Sequence, residues 1–572
     1  MDNKQVAAVL SETAMFLQLA GDEVLRAQAF SACARAIEHL QEDVSVLVRA
    51  KSLRMVRDVG EEFEAGIAEL LLSGRLELLE RLRAKFPPTI FELLNIAGLG
   101  PARVKLLYET LGVDSLDKLR AACEGDKVSG LRGFGKIMQN KLLDEIEYAK
   151  RYKGRYLLNK AGAAAQKLID FLSKDYSIIR IELAGSLRRR MELIKNINIV
   201  ASSINPSLVQ RNLLAAPGVV EVSAESARTF RATLPDGIVA LVNVVDDVQY
   251  PFALLYCTGS TEHFNVLRGR AAKLGFQLDA YGLYDGEGKL LPCTMEEDIY
   301  ERLKLPFIAP ELRENIGEFF TERLPKNLVK RTDLKGLIHC HTTYSDGNNT
   351  LEEMAQASRD RGYSYMIVSD HSQSAGYANG MKPARVVQQH REIEALNESM
   401  TDFRILKGIE SDILPDGSLD YDKGLLESFD VIIASIHSHL NMTEQEATAR
   451  LVRAIEHPLT NILGHLTGRL LMLRKGYPVD MAKILDACSA NQVAIEINAN
   501  CRRLDIDWRY LRYGKEKGIK FAVAPDAHRV EGLDLVVYGL GMARKGWLEP
   551  CDLLNAMSAD DVLAWCKKKQ KK

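Results

Sequence analysis

Seven short apolar runs that each stop at a polar cluster decide the fold of the C-terminal part of the chain: Leu337-Ile338-His339, Met366-Ile367-Val368-Ser369-Asp370-His371, Ile405-Leu406-Lys407-Gly408-Ile409-Glu410, Val431-Ile432-Ile433-Ala434-Ser435-Ile436-His437, Ile462-Leu463-Gly464-His465, Val493-Ala494-Ile495-Glu496-Ile497-Asn498 and Phe521-Ala522-Val523-Ala524-Pro525-Asp526. Strands of this kind alternating with helices predict a closed parallel barrel. Functional groups in such barrels stand at the C-terminal ends of the strands, which is where this sequence places its His, Glu and Asp. His339 and His341 are two residues apart, so an extended Cys340 projects both imidazoles to one side. Of the eleven His in the chain, six fall at these ends, whereas unrelated surface His would scatter over helices and loops.

The candidate metal ligands are therefore His339, His341, Asp346, His371, Glu410, His437, His465, Asp526 and His528. Imidazoles and carboxylates without a thiolate favour Mn²⁺, Zn²⁺ or Fe²⁺ over an all-oxygen Mg²⁺ or Ca²⁺ site. Shared between two or three ions, these ligands leave coordination positions for water and substrate, the pattern of a catalytic site rather than a closed structural one. Adjacent ions hold phosphate oxygens and lower the pKa of a water between them, so phosphoester hydrolysis is the natural reaction. Arg469, in Gly464-His465-Leu466-Thr467-Gly468-Arg469, is either a cation for a phosphate or one end of a barrel-rim salt bridge.

The whole chain is too long for one core: at 572 residues and about 150 residues per domain, three or four domains are expected. Lys+Arg number 75 and Asp+Glu 77, so composition alone does not announce nucleic-acid binding and does not exclude it. Nine scattered Cys without a C-x-x-C pair suit a reducing compartment rather than a disulfide framework or a zinc ribbon. The apolar stretches fall short of the ~20 residues that span a bilayer, and no secretory signal opens the chain. A cytoplasmic protein without a membrane partner is expected. The Lys-rich tail Lys567–Lys572 reads as a solvated end.

The motifs His339-Cys340-His341, Ser369-Asp370-His371-Ser372, Gly408-Ile409-Glu410-Ser411-Asp412, Ser435-Ile436-His437-Ser438, Gly464-His465 and Asp526-Ala527-His528 resemble those of the polymerase and histidinol phosphatase (PHP) family, with every ligand position of the family pattern filled. Ile495-Glu496-Ile497-Asn498-Ala499-Asn500 followed by Arg503-Leu504-Asp505 narrows the resemblance to the PHP domain of bacterial family X DNA polymerases. That resemblance implies a (βα)7 barrel acting as a trinuclear, usually Mn²⁺-dependent 3′-5′ exonuclease, with endonuclease action at abasic sites in some members.

Upstream, Ile178–Leu183, Ile197–Ala201 and Ile238–Val245 are β-rich runs in a mixed α/β domain. Gly185-Ser186-Leu187-Arg188-Arg189-Arg190-Met191-Glu192 resembles the nucleotidyltransferase signature of family X polymerases, and Tyr256-Cys257-Thr258-Gly259-Ser260 and Tyr281-Gly282-Leu283 resemble the segment that follows its catalytic strands. The resemblance offers Gly185, Ser186 and Arg189 to a nucleoside triphosphate or a DNA end. The family's Asp-x-Asp, however, is here Asn196 and Asn198, and its third carboxylate aligns with Leu241. Mg²⁺ is held through carboxylates and phosphates, so an inactive polymerase centre is expected. Asp247 lies six residues past Leu241, about 20 Å along an extended strand, too far to substitute.

From Lys4 to about Tyr148 the apolar spacing is helical. Ile96-Ala97-Gly98-Leu99-Gly100-Pro101 and Leu131-Arg132-Gly133-Phe134-Gly135-Lys136 place two Gly-x-Gly turns before helices, resembling tandem helix-hairpin-helix motifs. Gly98, Gly100, Gly133 and Gly135 permit positive φ and close approach, so the following backbone N–H groups can hold a DNA phosphate without a large basic patch. A third copy at Val59-Gly60-Glu61-Glu62 is acidic and reads as structural. Where lyase-competent relatives carry a Schiff-base Lys, this chain has Gly66, and no lyase activity is expected.

The expected organisation is an N-terminal helical DNA-binding domain (1–85), a helix-hairpin-helix domain (86–154), a degenerate palm and thumb (155–325), a linker over Glu322–Gly336 and the metallophosphoesterase barrel (333–572). The expected function is metal-dependent nuclease action in DNA repair by a monomer on gapped, nicked or 3′ ends of DNA, with dNTP as a further ligand of the palm. Two alternatives stand beside it: a gap-filling polymerase that retains synthesis, and a DNA-binding scaffold without turnover.

Overall fold

The computed structural model describes residues 1–570 except Asp2, Asp22, Glu23, His39, Gln41, Asn95 and Ala97. Ala97 of the first glycine turn and Lys571 and Lys572 of the basic tail thus lie outside the described residues. Met1–Lys153 forms one compact unit, and Gly154–Leu471 with Lys475–Lys572 forms another.

The first unit is helical. Asn3–Ala20 and Val24–Glu38 bury Val6, Leu10, Phe30 and Ile37, and one apolar core runs on through Ile67, Leu107 and Leu142 to Ile146. The hydrophobic faces of these helices pack on one another, which is what stabilises helices of this length.

The second unit opens with a five-stranded sheet of β1 (Ile178–Ala184), β2 (Asn196–Ser203), β3 (Glu221–Ala224), β4 (Thr229–Thr233) and β5 (Val239–Val245), in the spatial order β1-β2-β5-β4-β3. β2 and β5 run parallel and the other pairs antiparallel. Along β5, Ala240, Val242 and Val244 are buried while Leu241 and Asn243 are only partly so, the alternation of a strand with one covered face. A thumb-like layer follows, its core made by Phe252, Leu255, Phe264, Leu267, Ile299 and Tyr300.

Seven strands then build the barrel: β6 (Gly336–Cys340), β7 (Tyr365–Val368), β8 (Arg404–Asp412), β9 (Val431–Ser435), β10 (Ile462–Leu463), β11 (Ala494–Asn498) and β12 (Phe521–Ala524), each paired in parallel with the next. β6 and β12 meet at a parallel bridge between Cys340 and Ala527, and His341 N donates to Ala527 O at 2.8 Å, so the sheet curls into a nearly closed barrel. Strands covered on both faces read as continuous apolar runs, and every residue of β9 is buried. Val562 and Cys566 of the helix Ala559–Gln570 pack against Tyr365, Val431, Ile462 and Ala494 at the strand starts.

Two expectations are corrected here. Lys569 is not solvated: its Nζ donates to Ile455 O (2.7 Å), in the last turn of the helix Glu444–Glu456, and to Thr460 O (2.9 Å) in the turn after it. The charged connection before the barrel is not a free linker either. Val329 is fully buried and donates to Leu548 O (3.1 Å), while Lys326 N and Asn327 N donate to Glu549 Oε1 (3.1 and 3.2 Å).

Candidate metal centre

The strand ends and the loops just beyond them carry the cluster. Glu410 sits within β8. His437, His465 and Asp526 each follow their strand by two residues and His371 follows β7 by three, while His339 lies inside β6. His339 departs from regular strand geometry, with φ of +70° and a register shift between Ile338 and Cys340. A bulge, rather than plain alternation across Cys340, therefore turns His339 and His341 to the same side, where their ring centroids are 5.1 Å apart. Cys340 itself joins the apolar core, and burial raises its thiol pKa far above the ordinary range, so it contributes no thiolate.

Three groups of donor atoms converge within 4.8 Å of one another: His341, Asp346, His371 and His528; His339, His341 and Asp526; and His371, Glu410 and His437. Glu410 is central. Its carboxylate lies 2.9 Å from His371 Nδ1, 3.2 Å from His437 Nε2, 2.9 Å from His465 Nε2 and 3.4 Å from His339 Nε2. Asp526 Oδ1 is 3.2 Å from His341 Nε2, and Asp346 Oδ2 is 3.4 Å from His528 Nε2. His465 is outside the three groups, yet its Nε2 lies 3.3 Å from His437 Nε2. The structure thus gathers all nine predicted residues at one mouth.

Sequence reasoning assigned no role to the residues that orient these ligands. Glu496 Oε2 lies 2.5 Å from His339 Nδ1, and Glu496 Oε1 accepts from His465 N (3.1 Å) and Asn498 Nδ2 (2.8 Å). Asp412 accepts from His437 Nδ1. The contacts to Nδ1 of His339 and His437 hold a proton there and turn Nε2 of each ring toward the cluster, the arrangement that fixes tautomer and ring in metal sites. Asp370 holds the loop that carries Asp346, accepting from Thr342 N (2.8 Å), Thr342 Oγ1 (2.7 Å), Ser345 N (3.1 Å) and Gln389 Nε2 (2.6 Å). The available signal was a carboxylate inside an apolar run for Glu496, and for Asp412 the two-residue spacing from Glu410 that puts both on one face.

The electrostatics favour bound cations. Burial alone would neutralise Glu410, yet His437, His339 and His371 hold it ionised well below the usual carboxylate range. Against burial, His339 and the other imidazoles do the same for Asp526, and His528 brings Asp346 down to about 2. Burial disfavours a charged imidazole at His437 and His528, but Glu410 and Asp412 push the first up to about 10, and Asp346 and Asp526 the second up to about 9. His341, pressed by burial and by its neighbours His528 and His371, falls to about 3. Buried anions of this kind require positive partners. Among the described residues, His339 Nε2, His341 Nδ1 and Nε2, His371 Nδ1, His465 Nδ1 and Glu410 Oε2 are buried without a hydrogen-bond partner, so the donor set fits divalent ions.

Arg469 resolves to the rim salt bridge. It lies 3.2 Å from Glu192 Oε1 and 3.1 Å from Asp507 Oδ2 and donates to Arg503 O at 2.8 Å. In the palm, Asn198 pairs in register with Leu241 and Asn196 with Val239, so the positions that resemble catalytic carboxylates are neighbours and carry amides and an isobutyl group. Asp247 is engaged by Arg180 (2.8 Å) and Ser202 (2.8 Å), and Asp246 by Arg228 (2.9 Å). Gly185 packs on Asn198, a Cβ there falling 2.5 Å from Asn198 Nδ2. Ser186 is the second residue of the short helix Gly185–Arg188. Arg189, offered by sequence to a nucleotide, is mostly buried and pairs with Glu314 at 2.9 Å.

In the helical unit, Gly98 and Gly133 have φ of +90° and +84°. Gly100 and Gly135 precede the helices Pro101–Leu111 and Lys136–Tyr152 without a side-chain cap, leaving first-turn N–H groups for another acceptor. Gly60 precedes Glu61–Ser73, whose first turn is acidic and tied to Arg26 and Arg54.

Compared with known proteins, residues 253–314 match the DNA polymerase beta thumb and residues 338–500 the PHP domain. The chain is 36% identical over 571 residues to the DNA polymerase/3'-5' exonuclease PolX of Bacillus subtilis (strain 168), covering 99% of this chain and 100% of that protein. This chain belongs to the bacterial PolX family. Its barrel alone is also similar to smaller proteins: a probable phosphatase of Thermoanaerobacter sp. (strain X514), 29% identical over 208 residues (34% of this chain, 80% of that protein), and one of Vibrio parahaemolyticus serotype O3:K6, 28% identical over 228 residues (38% and 87%). As a PolX protein the chain is an enzyme that acts on DNA, and its PHP domain binds metal ions. Among the described residues no helix is long and apolar enough to cross a membrane.

Proposed function

We propose that the nine-residue cluster binds two or three Mn²⁺ or Zn²⁺ ions and hydrolyses DNA phosphodiesters from the 3′ end, and that the palm carries out no nucleotidyl transfer. The observation that carries the first part is the convergence, on the ionised carboxylates of Glu410, Asp526 and Asp346, of buried imidazole nitrogens whose hydrogen bonds are unmade among the described residues. When bound, divalent ions there would supply Lewis acidity toward phosphate oxygens and a water of lowered pKa. The chain's residues do the rest. His339, His341, Asp346, His371, Glu410, His437, His465, Asp526 and His528 hold the ions. Glu496 and Asp412 keep the His339 and His437 rings aimed at the cluster.

The second part is supported by Asn196, Asn198 and Leu241 at the three carboxylate positions, and by the engagement of Asp246, Asp247 and Arg189 elsewhere. The two glycine hairpins supply sequence-independent contacts to the DNA backbone.

End-labelled single-stranded and gapped DNA incubated with Mn²⁺, with and without dNTPs, tests the reading for wild type and His339→Ala. Shortening that the substitution abolishes is the expected result. Lengthening in the presence of dNTPs would instead establish a working polymerase centre, and neither change with DNA binding retained would establish a scaffold.

A further inference from the structure

The loop of residues 311–318, at the end of the thumb, seats each of its three glutamates on a buried partner, and the partners come from three layers. Glu318 and His263, both fully buried, meet within the thumb: His263 Nδ1 donates to Glu318 at 2.8 Å, while His263 Nε2 lies 2.7 Å from Tyr300 Oη. The same carboxylate accepts from Asn315 N (2.7 Å) and Ile316 N (2.8 Å) of its own loop. Glu314 lies 2.9 Å from Arg189 Nε of the palm and also accepts from Nζ of the fully buried Lys545 of the barrel. Glu311 lies 2.7 Å from Arg544 of the barrel, and its carbonyl accepts from Lys545 at 3.3 Å. Between them, the fully buried Arg313 donates to Glu296 at 2.6 Å, and Arg188 of the palm reaches that glutamate at 2.8 Å. Arg512 of the barrel closes the set by donating to Ile316 O at 3.0 Å.

Moving the thumb off the palm would part Arg189 from Glu314 and Arg188 from Glu296. Moving it off the barrel would strand Lys545. A buried charge left without its partner is strongly unfavourable, and a ligand shifts a conformational equilibrium only by its difference in affinity for the two arrangements. We propose that the loop is a keystone that pins the thumb to palm and barrel in one arrangement, so that the thumb does not swing on the palm when a nucleotide or DNA binds. The pinning depends on neither part of the functional reading above.

Hydrogen–deuterium exchange of the full-length protein, read by mass spectrometry on peptides from residues 308–320, tests it. Three conditions are compared: the protein alone, with Mg²⁺ and millimolar dATP, and with a gapped duplex. Wild type is expected to exchange slowly and equally in all three. Glu314→Gln, which leaves Arg189 and Lys545 without their shared counter-charge, should speed exchange in these peptides by about a hundredfold or more. The barrel strand Val431–Ser435 should stay as protected as in wild type, which marks the opening as local. Arg544→Gln, at a partly exposed pair, should give a smaller rise in the same peptides and replaces the first variant if that one does not fold. Wild-type exchange that nucleotide or DNA changes by more than about tenfold would overturn the proposal, as would folded variants that exchange like wild type.

Discussion

Glu496→Gln is the most informative single change, because it keeps size and burial and alters only which atoms can accept. Glu496 is fully buried and meets three nitrogens: His339 Nδ1 at 2.5 Å on one oxygen, His465 N at 3.1 Å and Asn498 Nδ2 at 2.8 Å on the other. A carboxylate accepts from all three, and a glutamine cannot. With the amide oxygen toward His339, the NH₂ group meets two donors. With the amide reversed, its NH₂ faces His339 Nδ1, whose proton must move to Nε2, the atom that faces Glu410 and Asp526 and has no hydrogen-bond partner. Either choice leaves a buried donor unmatched at about 1–3 kcal/mol, roughly 5- to 150-fold in Mn²⁺ affinity, the same scale as the 10–100-fold expected for partners that orient ligands. Free Mn²⁺ measured by electron paramagnetic resonance during titration reads the affinity directly, with circular dichroism to verify folding and exonuclease assays at saturating Mn²⁺ alongside. A folded Glu496→Gln protein with Mn²⁺ affinity within about twofold of wild type would refute the orienting role.

Three further outcomes are expected. Burial pushes the fully buried Lys545 ammonium down to about 8, whereas the unfolded chain keeps the ordinary lysine value, so between the two the unfolded state binds more protons and stability rises with pH. Urea unfolding of wild type compared with Lys545→Met should therefore shift in favour of wild type by about 2 kcal/mol from pH 7 to 9.5, and a flat difference would contradict it. Gly98→Ala and Gly133→Ala should each lower thermal stability and DNA affinity, because both force a residue to positive φ while the new Cβ meets at most the movable end of Met138; a variant that matches wild type in melting and anisotropy assays would count against that geometry. Asp370→Ala strands five buried donors of Thr342, Ser345 and Gln389 and should cost about 3–5 kcal/mol in denaturant unfolding; a loss below about 1 kcal/mol would show that the Asp346 loop is held by other contacts.

The barrel and the convergence of the nine residues were legible because the two signals coincide: apolar runs mark strands, and functional groups in a parallel barrel sit where those runs stop. Glu496 escaped for the opposite reason. It lies within its run, between Ile495 and Ile497, and nothing in spacing tells an orienting carboxylate from a ligand. The bulge at His339 was hidden because a residue at positive φ leaves no mark on a His-Cys-His triplet. Lys569 and the Glu322–Gly336 connection read as solvent-exposed from charge, yet each uses its polar groups on buried carbonyls or on Glu549, contacts between residues far apart in sequence. Arg469 left two readings open because both partners of its salt bridge, Glu192 and Asp507, come from other segments.

The palm keeps its signature arginines and glutamate but turns them toward the rest of the unit. Arg188 binds Glu296 at 2.8 Å, Arg189 binds Glu314 at 2.9 Å, and Glu192 meets Arg469 of the barrel at 3.2 Å and Arg509 at 3.6 Å. From the barrel side, Lys545 reaches Glu314 and donates to Arg189 O at 3.1 Å, and Trp547 enters the thumb core. Apart from the half-exposed Arg509, these charges are mostly buried, and removing one member of such a buried pair leaves the other unpaired at a cost of about 3–5 kcal/mol. Residues in this position are held by stability whether or not the sheet turns over nucleotides. Carboxylates at Asn196, Asn198 and Leu241 would take no part in these pairs, so the palm proposed above to carry out no nucleotidyl transfer still keeps its signature arginines and glutamate as the joint between thumb, palm and barrel.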